Sequence, residues 1–122
     1  MVQTALAAAE HWPGSAVWSA PCLKPLYAGA VADVCRRHQA VIVVEEHSVY
    51  GGLGSAVAEI AAAESPTWVC RVGVPDRFSR FCGSYRYLME EHRLSPEAVA
   101  ERVSAFLAKV AGAGCGPLRR PA

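Results

Sequence analysis

The chain has no apolar run approaching the roughly 18–20 residues that a membrane span requires. No charge of one sign dominates either: 12 Lys and Arg stand against 11 Asp and Glu, a formal net charge of +1. A general nucleic-acid binder carries a basic surplus, so that class is set aside. Five cysteines are present, Cys22, Cys35, Cys70, Cys82 and Cys115, yet no two form a CxxC or CxxxxC pair, which leaves a zinc site without support. His11, His38 and His92 show no metal spacing. No basic start precedes an apolar stretch in residues 1–12, which carry Glu10 and His11. Without such a secretion signal, reduced thiols in a cytoplasm are the expectation. Neither a Walker loop nor a GxGxxG fingerprint occurs.

What is present is core-forming material. Of 122 residues 52% are hydrophobic and 19% charged, enough for one domain and too few for two. A large cofactor site together with a substrate site would need a partner at this size.

Helical and strand patterns alternate. Val2, Ala5, Leu6 and Ala9 recur at helical spacing in an alanine-rich stretch, which Pro13-Gly14 ends. Ala16-Val17-Trp18 reads as a short strand stopped by Pro21. A second helix starts near Pro25, with Tyr27, Ala30, Val31 and Val34 as its apolar stripe and Arg36, Arg37 and His38 at its negative end. Ala40–Val44 is apolar throughout and β-branched, the pattern of a strand covered on both faces. A glycine-rich turn leads to a helix with Leu53, Val57 and Ile60 on one face; Thr67–Val74 is the next strand, broken by Pro75-Asp76. Tyr85–Glu91 reads as a short helix. Ser95 caps a final helix, with Pro96 at its first position and Val99, Val103, Phe106, Leu107 and Val110 as its core stripe. The order predicts a three-layer α/β/α sandwich on a mostly parallel sheet, residues 1–111, followed by a flexible tail, 112–122.

The most informative stretch is Val41–Glu59, VIVVEEHSVYGGLGSAVAE, a buried strand running into Glu45-Glu46-His47 and a Gly51-Gly52-Leu53-Gly54 turn that opens a helix. Together with "VQTALAAAEHW" (Val2–Trp12), "CLKPL" (Cys22–Leu26), "RVGVPDRF" (Arg71–Phe78) and "GSYRYLMEEHRLSPEAVAERV" (Gly83–Val103), it resembles the C-terminal domain of the transketolase family across about residues 2–110. Tyr27 replaces the Asp that usually closes the "l-K-P-l-D" element, and Pro75-Asp76-Arg77-Phe78 favours the transketolase and deoxyxylulose-phosphate synthase branch over the 2-oxoacid dehydrogenase subunits. The resemblance implies a domain that supports the dimer beside an active site built by other domains. Thiamine diphosphate and a divalent metal belong to those domains, and nothing here resembles the "GDG…N" motif that holds them. The chain is therefore expected to bind no cofactor alone and to act with a thiamine-diphosphate-binding subunit, in a homodimer, or both, with no nucleic acid and no membrane as partner. The family places an opening strand between the segments matching Ser15–Ser19 and Ala40–Glu45, and that strand is missing before Val2. Either another chain supplies it, or the remaining strands pair differently, or the sequence is truncated. An unfilled slot would expose unpaired backbone groups, so a partner subunit leads.

The candidate ligand or interface loop comprises Glu46, His47, Gly51, Gly52, Gly54, Ser55, Asp76 and Arg77. Open α/β sheets place ligands at the carboxyl ends of strands, where Glu45, Glu46 and His47 fall as a candidate acid/base cluster. Alternatively, Glu46 or His47 hydrogen-bonds the glycine-rich turn and fixes its shape. Glu45 and Glu46 are adjacent on a strand and point to opposite faces, so they form no carboxylate pair. Gly51, Gly52 and Gly54 either permit the turn or bring a small anion or nucleotide to the helix start, with Ser55 adding a hydroxyl or a cap; this second use defines a standalone binding or regulatory module as the rival function. Asp76 and Arg77 either meet a substrate or pair across an interface. Cys82 and Cys115 lie in or near loops. Trp12, Trp18 and Trp68 are expected in the core or an interface, and Tyr85 and Tyr87 at a subunit contact.

Overall fold

The structure, a computed structural model, describes residues 1–113. The elements are α1 (Val2–Ala9), α2 (Ala28–Arg37), β1 (Ala40–Ser48), α3 (Leu53–Glu64), β2 (Trp68–Val74), α4 (Tyr85–Glu91) and α5 (Pro96–Gly112). β1 and β2 pair in parallel, Ala40 opposite Trp68 through Val44 opposite Val72, with an irregularity before Ser48 meets Val74. A parallel pair needs a crossover, and α3 supplies it.

The two-residue alternation of the strands divides the helices into layers. Ile42 and Val44 of β1, with Cys70, Val72 and Val74 of β2, pack with α1 and α5 in a core that also holds Ala8, Leu94, Val99, Ala100 and Val103. Trp12, Met89, Phe106 and Leu107 pack against it, half-buried. Val72 and Val99 are wholly buried, and burial of a valine side chain stabilises by about 1.5–3 kcal/mol. On the opposite face, α2 and α3 cover the sheet and bury Ala32, Cys35, Val57 and Ala61. This is a parallel α/β domain with helices on both faces.

Local signals set the helix ends. Ser84 accepts from the Tyr87 amide at 3.2 Å, and Ser95 accepts from the Ala98 amide at 3.3 Å with Pro96 just inside. The hydrogen bonds at this helix start hold the exposed Glu97 carboxyl below its ordinary value, those to its own backbone amide first and then that to Ser95. After α4 the backbone turns through Arg93 at φ 57°, and the Leu94 amide closes on Met89 O at 2.8 Å, which drives Leu94 into the core.

One expectation needs correction. Ala16-Val17-Trp18 forms no strand; residues 13–25 are exposed throughout and non-helical. A strand needs a neighbour for its ladder, and among the described residues the sheet holds only β1 and β2. Trp18 and Trp68 are 60% and 42% exposed, so of the three tryptophans Trp12 alone packs against the core. Trp18 instead lies under the Arg37 guanidinium, 5.6 Å from its ring centre. α5 continues to Gly112, one residue past the expected domain limit. The expected tail beyond Ala113, with Cys115, lies outside the described residues.

Candidate functional site

The carboxyl ends of β1 and β2 are organised around Glu45. Strand alternation turns it toward α3, where it is 9% exposed, while the Glu46 side chain is 42% exposed on the other side. Its Oε2 accepts from the Leu53 amide at 2.8 Å and its Oε1 from the Gly54 amide at 2.9 Å. These are the first amides of α3, which have no intrahelical acceptor and sit at the positive end of the helix dipole. A buried carboxylate thus finds its donors in the helix that follows it.

The turn between them is held from the other side by Arg71 of β2. Its Nη1 donates to Val49 O at 2.8 Å and to Ser55 Oγ at 3.3 Å, and its guanidinium lies 5.5 Å from the Tyr50 ring centre. Ser55 Oγ accepts from the Gly51 amide at 3.0 Å and donates to Val49 O at 3.3 Å. Gly51 takes φ +75°, a conformation that L side chains rarely adopt. Gly52 is needed for space: a Cβ there would fall 2.2 Å from Glu45 Oε2.

The candidate residues therefore separate into three groups. Gly51, Gly52, Gly54 and Ser55 build the turn around Glu45 and Arg71. His47 is exposed and uses Nδ1 on Ser48 O at 2.9 Å, and Glu46 accepts from the Tyr85 hydroxyl at 2.7 Å. That bond, with smaller contributions from burial and the Glu46 charge, raises the Tyr85 phenol above its ordinary value. Asp76 and Arg77 follow β2 and line a shallow cleft of about 280 Å³ with Ser48, Val74, Pro75 and Phe78. Arg77 donates from Nη2 to Glu91 O at 2.8 Å. No hydrogen bond or ion pair joins Asp76 or Arg77 to the other candidates among the described residues. The residue that fixes the turn is Glu45 rather than Glu46 or His47. Neither it nor Arg71 stood among the candidate loop residues, and Glu45 figured there only as part of an acid/base cluster. The available signal was a carboxylate in register with the inward Val43, which at that depth requires donors.

The arrangement bears on ligand chemistry. An anion approaching the start of α3 meets amides already satisfied and a negative charge already in place. Among the described residues no three His, Cys, Asp or Glu converge as metal ligands. No described helix is long and apolar enough to cross a membrane.

A parallel α/β domain whose strand-end glutamate pins a glycine turn defines the class. The family model described as "Transketolase, C-terminal domain" matches residues 1–99, and the chain belongs to that family. The 1-deoxy-D-xylulose-5-phosphate synthase of Symbiobacterium thermophilum is 42% identical over 89 residues, 72% of this chain and 14% of the relative. That of Ralstonia nicotianae is 46% identical over 79 residues, 64% of this chain and 12% of the relative. A solved structure titled "Split gene transketolase, inactive beta4 tetramer" superposes with TM-score 0.74 at 34% identity, covering 88% of this chain and 36% of that one. The chain thus matches about one seventh of the first of these synthases.

Proposed function

We propose that this chain is the C-terminal module, as domain or small subunit, of a thiamine-diphosphate enzyme of the transketolase and deoxyxylulose-phosphate synthase branch. Its role is assembly of the oligomer and closure of an active site that other domains build for keto sugars or sugar phosphates. The cofactor bound in those domains supplies the carbanion chemistry. This chain supplies a rigid strand-end surface, with Glu46, His47, Asp76 and Arg77 exposed on it.

The observation that carries the reading is the state of β1. Its sequence is that of a strand covered on both faces, yet Val41, Ile42 and Val44 are only half-buried, and β2 is its one paired neighbour among the described residues. The edge away from β2 offers unpaired backbone groups to a further strand. A structural neighbour titled as a split-gene transketolase tetramer, of which this chain covers 36%, supports an oligomeric assembly.

The test is reconstitution. The chain is mixed with a separately produced chain carrying the first and second domains and the opening strand. A complex by gel filtration together with gained ketol transfer or deoxyxylulose-phosphate synthesis is expected. No complex and no gain would overturn the reading.

A further inference from the structure

A groove of about 470 Å³ adjoins the strand-end turn, sharing Val49, Tyr50 and Arg71 with it. Consecutive residues Val69, Cys70 and Arg71 line it, so it runs over an edge of β2; no β1 residue lines it, which places it on the edge away from β1. One wall is Val49-Tyr50. The other is Arg102, Ala105, Phe106 and Lys109 of α5, spaced i, i+3, i+4, i+7 and therefore one helix face, distinct from the buried Val99, Val103 and Val110. Arg102 and Lys109 lie about 10 Å apart along the helix axis at 1.5 Å per residue.

The charge of this groove is one-sided. Arg71, Arg102 and Lys109 line it and no carboxylate does. Among the described residues neither Arg102 nor Lys109 has an ion-pair partner, and neighbouring Glu101 is taken by Arg93 at 2.5 Å. Arg71 commits Nη1 to the turn, and no partner meets its Nε or Nη2 among the described residues. The floor thiol senses the same field: burial pushes Cys70 up, while Arg102 and Lys109 pull it the other way. Three cations lining one open groove concentrate a positive potential there.

We propose that this groove binds a small polyanion: a phosphorylated or polycarboxylate metabolite with at least two charged groups. Arg71 anchors one charge, Arg102 and Lys109 receive the others across the span between them, and Phe106 packs against the carbon skeleton. Such a site would let a soluble metabolite act on the module through Arg71, which also holds the strand-end turn. It rests on α5 and β2 and stands independently of the assembly role.

Inorganic tripolyphosphate and orthophosphate are the probes, titrated calorimetrically into the full chain. Tripolyphosphate is expected to bind about tenfold tighter than orthophosphate and to weaken steeply between about 50 and 200 mM salt. Arg102→Gln and Lys109→Gln change exposed side chains, so thermal unfolding of the free protein should not move. Each is expected to weaken tripolyphosphate several-fold, and the double variant to abolish binding. Arg86→Gln removes the same unit of charge outside the groove and should leave affinity unchanged. Equal affinity for the two probes, binding retained by the double variant, or an equal loss in Arg86→Gln would overturn the proposal.

Discussion

The Gly54 amide donates to Glu45 Oε1 at 2.9 Å across nine residues of chain, joining the end of a strand to the first turn of the helix that follows it. Leu53 holds the other oxygen at 2.8 Å, so one carboxylate satisfies two helix-start amides. Removing it leaves buried amides without an acceptor, at about 1–3 kcal/mol. Glu45→Ala should therefore lower unfolding free energy in urea by about 2–3 kcal/mol, and Glu45→Gln, which keeps one acceptor, by about 1 kcal/mol. Equal stability of Glu45→Ala and wild type would show that water replaces the carboxylate without cost.

The glycines of this turn should fail in different ways. Gly51→Ala forces a side chain to φ +75° and should cost about 1–2 kcal/mol. Gly52→Ala drives the Glu45 carboxylate off its amides and should cost at least as much as Glu45→Ala. Gly112→Ala meets nothing within 4 Å in the last turn of α5 and should stabilise by up to about 1 kcal/mol. Thermal unfolding of the three variants checks the order.

Tyr85 links stability to alkaline pH. Its hydrogen bond to Glu46 raises the phenol above its unfolded value, so the bond's contribution is full below the unfolded value and is lost as pH rises through the folded one. Ultraviolet titration should show Tyr85 ionising at higher pH in wild type than in Glu46→Gln. No change on that substitution would remove Glu46 as the cause.

The four described thiols should fall into two classes. Cys22 and Cys82 are exposed, whereas Cys35 and Cys70 are buried, and burial raises both of the latter. Thr67 and Arg36 offset part of the rise at Cys35. In a Cys115→Ser background, a thiol reagent at neutral pH should label two sites quickly and two only on unfolding. Rapid labelling of a third would show that one helix layer opens readily.

Much of the architecture was readable from apolar spacing and end signals. Ala40–Val44 announced β1 by its unbroken β-branched run, the Ser95-Pro96 pair announced α5, and Tyr85–Glu91 is helical over the expected residues. The parallel α/β class and the family resemblance hold. Ser15–Ser19 was misread because strand formation there depends on a neighbour outside the described sheet, and local propensity carries no information about that neighbour. Glu45 was passed over as the turn's anchor because apolar periodicity weighs a carboxylate only as a break in the pattern, whereas depth and the amides ahead of it decide its role. Arg71 was likewise hidden: its partners Val49 and Ser55 lie 22 and 16 residues earlier in the chain.

The packing of α1 against α5 lays the first described helix beside the last. Chain connectivity and tertiary contact are therefore separable in this domain: exposed residues 13–25 tether α1 to α2, while α1 packs against α5 and the sheet core. A circular permutant that joins the end of α5 to the start of α1 through a flexible linker, and opens within 13–25, keeps every helix layer and the strand pair. The same geometry makes the 13–25 tether the place where a protease can nick the backbone and leave both pieces associated.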